Sequence, residues 1–114
     1  MSLRSRSETL HAFATALAAG TTVIVPAVPL TVVGIYKLIV TCSAAATLQI
    51  QDTANNALSQ TFSFGANGGS ITLDIPINTE SWWTSAQFGT GLGIQFVVTG
   101  ASGINYDVWY LQSR

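Results

Sequence analysis

The stretch Ala46–Asp52, ATLQIQD, alternates apolar and polar residues without a break, with Leu48 and Ile50 on one side and Thr47, Gln49 and Gln51 on the other. Successive side chains of a strand point to opposite faces of its sheet, so the pattern describes a strand with one dry and one wet face. The same period recurs outward from it. Downstream, LSQTFSF (Leu58–Phe64) sets Leu58, Phe62 and Phe64 against Ser59, Thr61 and Ser63. SITLDIPI groups Ile71, Leu73, Ile75 and Ile77, and GLGIQFVVTG groups Leu92, Ile94, Phe96 and Val98. Upstream lie two runs rich in Val and Ile, Thr21–Val28 and Thr31–Ser43. Pro26 and Pro29 predict an edge strand or a bend in the first, and Gly34 marks a bulge in the second.

Turn chemistry separates these runs. Asn55-Asn56 tolerates positive φ, and GANGG is a glycine turn. GTGLG (Gly89–Gly93) leads into a strand and not a helix, so it lacks the helix N-terminus of a phosphate-binding loop. With about eight short strands and no long helix, the dry faces must pack on each other. The fold class is therefore all-β, an antiparallel β-sandwich or jelly roll of about eight strands with a short N-terminal arm. Pattern alone does not set the strand order. Residues 1–17 read as that arm or a first strand, with Glu8–Leu17 a short helix or an extended segment. Residues 18–114 form the sandwich domain.

At 114 residues the chain holds one domain. Only nine residues are charged, or 8%, against about 25% in an average soluble chain. The surface must therefore be built from Ser, Thr, Asn, Gln, Gly and Ala. Such a skin offers little charge repulsion between copies and suits life in an assembly. With Arg4, Arg6, Lys37 and Arg114 scattered and a net charge of −1, no basic stripe exists to bind nucleic acid. No run approaches the roughly 18 apolar residues of a membrane span. Arg4 and Arg6 before LHAFATALAAG imitate a signal peptide, but His11 and Thr15 interrupt the apolar stretch. The single Cys42 has no intrachain disulfide partner, reads as a small buried hydrophobe, and fits synthesis in a reducing cytoplasm.

Catalytic constellations are absent from the pattern. His11 is the only histidine, which argues against a histidine metal site or a Ser/His/Asp triad. The carboxylates Asp52, Asp74, Glu80 and Asp107 fall on four separate elements, and Asp52 and Glu80 sit where carboxylates cap turns or face water. The expectation is a protein that is not an enzyme and needs no cofactor or metal.

The aromatic residues are more informative. In INYDVWYLQ, Ile104, Tyr106, Val108 and Tyr110 form a core face, while Asn105, Asp107, Trp109 and Leu111 form the opposite one. Trp109 and Leu111 would leave an apolar patch on an otherwise polar sheet. In INTESWWTS (Ile77–Ser85), Trp82 and Trp83 occupy successive positions, so an extended chain sends one inward and the other outward. Three readings stay open for the outward one: a protein interface, a bend that packs both rings inward, and a platform for sugar.

Taken together, LAAGTT, VGIYKLIVTCSAAATLQIQD, FGANGGSITLDIPI and GTGLGIQFVVTGASGINYDVWY resemble the small jelly-roll decoration, or cement, proteins of tailed bacteriophages, from about Ala18 to Tyr110. The resemblance implies a homotrimeric knob on the exterior of the virion capsid, made in the host cytoplasm. It would bind the major capsid protein through a base and an N-terminal arm and stabilise the shell. It brings no catalytic residues. Candidates for subunit or capsid contacts are Arg4, Arg6, Trp82, Trp83, Trp109 and Leu111. The alternative is a lectin-like carbohydrate-binding jelly roll of a phage fibre or surface protein, with Trp82 or Trp83 stacked on a glycan.

Overall fold

A computed structural model describes residues 10–74, 83–100 and 103–113. Within them the chain forms nine strands: β1 (Leu10–Leu17), β2 (Gly20–Val25), β3 (Val32–Cys42), β4 (Ala46–Asp52), β5 (Phe62–Phe64), β6 (Gly69–Asp74), β7 (Trp83–Thr84), β8 (Ile94–Gly100) and β9 (Ile104–Ser113). One sheet has the order β1-β9-β3-β6, and the two-residue β7 joins β3 beside β6. The other has the order β2-β8-β4-β5, and every pairing is antiparallel. The pairs β1·β9, β2·β8, β3·β6 and β4·β5 nest like the rungs of one long hairpin rolled onto itself. That nesting is the jelly roll.

Apolar side chains alternate inward from both sheets. β4 is buried at every second residue, as its sequence pattern requires. Leu48 and Ile50 meet Phe96 and Val98 from β8, and Leu38, Val40, Ile104 and Val108 complete the core from the other sheet. Tyr106 packs edge-on against Phe96 at 5.2 Å between ring centres. Cys42 is buried, with its thiol 3.0 Å from the Ala44 carbonyl.

The described segment of the expected N-terminal arm, Leu10–Leu17, is an edge strand whose Ala12, Ala14 and Leu17 pack against the core. β2 ends at Val25, directly before Pro26, and lies at the edge of its sheet, where a missing N–H costs least. Asn55 takes the positive φ of 71° that its turn demands.

Two expectations are corrected. Leu58–Thr61 is not strand, and β5 is only Phe62–Phe64. Leu58 is nonetheless buried, because the loop folds back: its N–H donates to the Ile50 carbonyl at 2.9 Å, and the Ser59 hydroxyl accepts from the Ile50 N–H at 3.0 Å. One backbone bond and one side-chain bond thus hold an apolar residue at the core without a strand around it.

The second correction concerns β3. Gly34 pairs in regular register with Leu111 and Thr84, and the bulge falls between Ile35 and Lys37. Val33 and Ile35 face inward before it, and Leu38, Val40 and Cys42 after it. Strict alternation from Ile35 would instead bury Lys37 and expose Leu38. The cost of burying an unpaired ammonium far exceeds that of one unpaired strand residue, so the extra residue is Tyr36 and Lys37 stays on the outer face.

β6 and β7 lie along the same edge of β3: Asp74 opposes Lys37 and Trp83 opposes Ile35. Beyond β7 a 3-10 turn over Ser85–Phe88 begins, capped by the Thr84 hydroxyl, which accepts from the Ala86 N–H at 3.1 Å. Ser85 is fully buried, and its hydroxyl accepts from the Val33 N–H at 2.9 Å, continuing the edge where the backbone ladder stops. Gly93 enters β8 so close to β2 that a Cβ there would lie 2.0 Å from the Val25 carbonyl oxygen. Only glycine fits.

Deleting Tyr36 should turn at least two fully buried side chains outward, Val33 and Ile35 or Leu38 and Val40. At about 1.5–3 kcal/mol for each, the urea unfolding midpoint should fall by the equivalent of about 3–6 kcal/mol. The Tyr106 phenol is buried, and desolvation raises its pKa above the ordinary value of about 10. The folded state then keeps the proton longer than the unfolded one. Tyr106 adds stability that is complete below about pH 10 and is lost as pH rises through the folded-state value. Alkaline denaturation should be shallower for Tyr106→Phe than for the parent chain.

Candidate functional site

The outer face of the β1-β9-β3-β6 sheet carries the most concentrated chemistry among the described residues. Register places His11, Trp109, Lys37 and Asp74 in one row across the four strands. The next row holds Phe13, Asp107, Ile39 and Thr72, followed by Asn105, Thr41 and Ser70.

The first two rows are knitted together. The His11 imidazole stacks on the Trp109 indole at 4.4 Å and 10°, and on Phe13 at 5.1 Å and 23°. Its Nε2 lies 2.9 Å from Asp107 Oδ1, with the two side chains 36% and 44% exposed. At that exposure the contact is worth little beyond fixing the ring. The Lys37 ammonium lies 5.1 Å from the Trp109 ring centre, reaching it from β3 while His11 reaches it from β1. The indole is therefore flanked from both neighbouring strands. Its half-buried position reflects that cover, and a cation over an indole gains about 0.5–1 kcal/mol at an exposed site.

Leu111 lies on the same face beyond Trp109, half-buried, opposite Gly34. Trp83 points the other way. It is partly buried against the core and meets Phe62 edge-on at 5.9 Å, closing the gap between the two sheets at their β6/β7 and β5 edges. Arg4, Arg6, Trp82 and Glu80 lie outside the described residues. Of the six candidate contact residues, the structure thus brings Trp109 and Leu111 onto one face and sends Trp83 inward.

Sequence reasoning did not find His11, Phe13 and Lys37 as members of this cluster. The spacing of His11, Phe13 and Thr15 against Ala12 and Ala14 carries a period-2 signal. The register that sets β1 beside β9 depends on contacts about a hundred residues apart and leaves no local trace.

The described carboxylates serve local structure. Asp52 is fully buried and caps its own turn. Its Oδ1 accepts from the Ala54 and Asn56 N–H groups at 2.9 and 3.0 Å, and its Oδ2 from the Asn56 amide at 3.0 Å. Asp107 holds His11, and Asp74 opposes Lys37. On the outer face of the other sheet, Gln95, Gln51, Gln49 and Asn55 satisfy one another: the Gln95 amide donates to Gln51 and Asn55, and the Gln51 amide to Gln49. That network carries no charge, and Val23 and Val97 share the face with it. No group of three or more His, Cys, Asp or Glu side chains among the described residues is placed to hold a metal ion.

Compared with known proteins, the chain matches no family model, no curated protein and no solved structure. The site is read from its own residues.

His11→Ala removes two ring stacks and the contact to Asp107. Aromatic pairs contribute about 0.5–1.5 kcal/mol beyond area burial, so a loss of that order is expected. It should appear in hydrogen exchange as faster exchange across Leu10–Leu17 while β4 and β8 are unchanged.

Proposed function

We propose that the chain is a structural virion protein, a homotrimeric decoration or cement protein that binds the outside of a phage head and bridges major capsid subunits. The observation that carries this reading is the outer face of the β1-β9-β3-β6 sheet. It presents Phe13, His11, Trp109, Ile39 and Leu111 on a protein with nine charged residues, with Lys37, Asp107 and Asp74 set among them. Aromatic anchors ringed by a few charges form the usual composition of a protein contact. The resemblance in sequence to capsid decoration proteins supplies the kind of partner.

The carboxylates support a non-enzymatic role, since Asp52 is spent on its turn and Asp107 on His11. Sugar stacking needs an indole with an open face. Trp109 is flanked by His11 and Lys37, which favours protein packing over the lectin-like alternative. A decoration protein that binds the mature shell, and not dissociated subunits, stabilises it by mass action.

Purified protein should bind saturably to heads that lack it and raise their disruption temperature. Trp109→Ala with Leu111→Ala should weaken binding at least tenfold while leaving the urea midpoint within about 2 kcal/mol of the parent, the range of a partly exposed pair. Absence of head binding, with glycan binding in its place, would select the lectin-like reading.

A further inference from the structure

Five large apolar side chains are exposed among the described residues: Leu10, Phe13, Val23, Val28 and Leu30. All five come from residues 10–30, and Phe13 and Leu30 are the most open at 68% and 66%. β1 and β2 are the edge strands of the two sheets, joined by only Ala18 and Ala19. They therefore form one side of the sandwich, and the 26–30 loop that follows β2 extends it.

This side is unprotected in three respects. From Thr9 to Tyr36 the sequence contains no Asp, Glu, Lys or Arg. β1 is eight residues long and has neither proline nor lysine, the usual means of blocking an edge. Among the described residues no strand pairs with its outer edge, which runs beside exposed apolar side chains. The opposite side differs: β5 has three residues, and β6 ends on Asp74.

We propose that the β1/β2 side is where copies of this chain meet, three such sides converging on a common axis. The proposal rests on the homotrimer of the preceding reading and gives it a location. Charge selects the occupant. A partner with ordinary surface charge would bury ionised groups against 28 uncharged residues, whereas a second copy brings the same neutral strands and buries none. Size agrees with this. Eight residues at about 3.3 Å give a side about 26 Å long and two sheets deep, on the order of 500 Å² before the 26–30 loop is added. That approaches the roughly 800 Å² per partner of a standard interface.

The test is the mass in solution by sedimentation. The parent chain should sediment at three times 12.0 kDa, about 36 kDa. Val23→Lys with Leu30→Lys, which leave the aromatic outer face untouched, should give 12.0 kDa at the same concentration. Ser63→Lys with Thr72→Lys, on the opposite side, should keep the parent mass. Hydrogen exchange on the unmutated protein gives a second readout that does not depend on a variant folding. Amides of Leu10–Leu17 should exchange at least tenfold faster on dilution below the dissociation range, while those of Gly69–Asp74 stay constant. A parent chain that is monomeric throughout, or a Val23/Leu30 variant that keeps the parent mass, would overturn the proposal. Head binding is scored separately. A monomer that binds heads defeats this interface and spares the decoration role. An oligomer that falls apart as expected but ignores heads does the reverse.

Discussion

One unpaired residue, Tyr36, governs how β3 contributes to the core. β3 is the central strand of its sheet and pairs with β9 on one side and with β6 and β7 on the other. Before the bulge its odd-numbered residues face the core, and after it the even-numbered ones. Without that change of phase, Lys37 would enter the apolar interior and Leu38, Val40 and Cys42 would leave it. Because β9 and β6 take their register from β3, the outer face depends on the same residue. Lys37 reaches Trp109 only because the bulge turns it outward, and Trp109 in turn supports His11 on β1.

Period 2 made most of the core legible. In β4 and β8 the expected inward residues Leu48, Ile50, Ile94, Phe96 and Val98 are all buried, because both strands lie inside their sheet, and outward-facing Gln95 is buried too, by its amide network. Legibility failed where non-local geometry took over. Alternation put Leu58 on the apolar side, and it is buried, but a loop bonded to Ile50 holds it there in place of the expected strand. Gly34 was the natural residue for a bulge on conformational grounds, yet the bulge followed charge and fell at Tyr36. The sequence left open whether one or both rings of the Trp82-Trp83 pair enter the core, and Trp82 lies outside the described residues. Pairing of Trp83 with inward-facing Ile35 decides that Trp83 does.

The two outer surfaces divide the labour. On the β2-β8-β4-β5 sheet, Gln49, Gln51, Gln95 and Asn55 spend amide groups on one another. The aromatic face of the other sheet and the uncharged β1/β2 side retain chemistry that folding of one chain does not consume. Trp109 was legible in the sequence as a residue on the outer face. His11, Phe13 and Lys37 were not, since only the assembled register turns three scattered residues into one stack.

The nested topology also fixes when the fold can form during synthesis. β8 lies between β2 and β4, and β9 lies between β1 and β3, so each sheet receives its inner strand only after the strands beside it have been made. Until Ile94–Ser113 has emerged from the ribosome, β1 and β2 have no neighbour in either sheet. Folding of this domain therefore waits for β8 and β9 and rests mostly on long-range contacts, slow by the standards of its size. During that interval an uncharged, strand-forming segment waits exposed, and the abundance of the finished protein depends on how quickly β8 and β9 arrive to cover it.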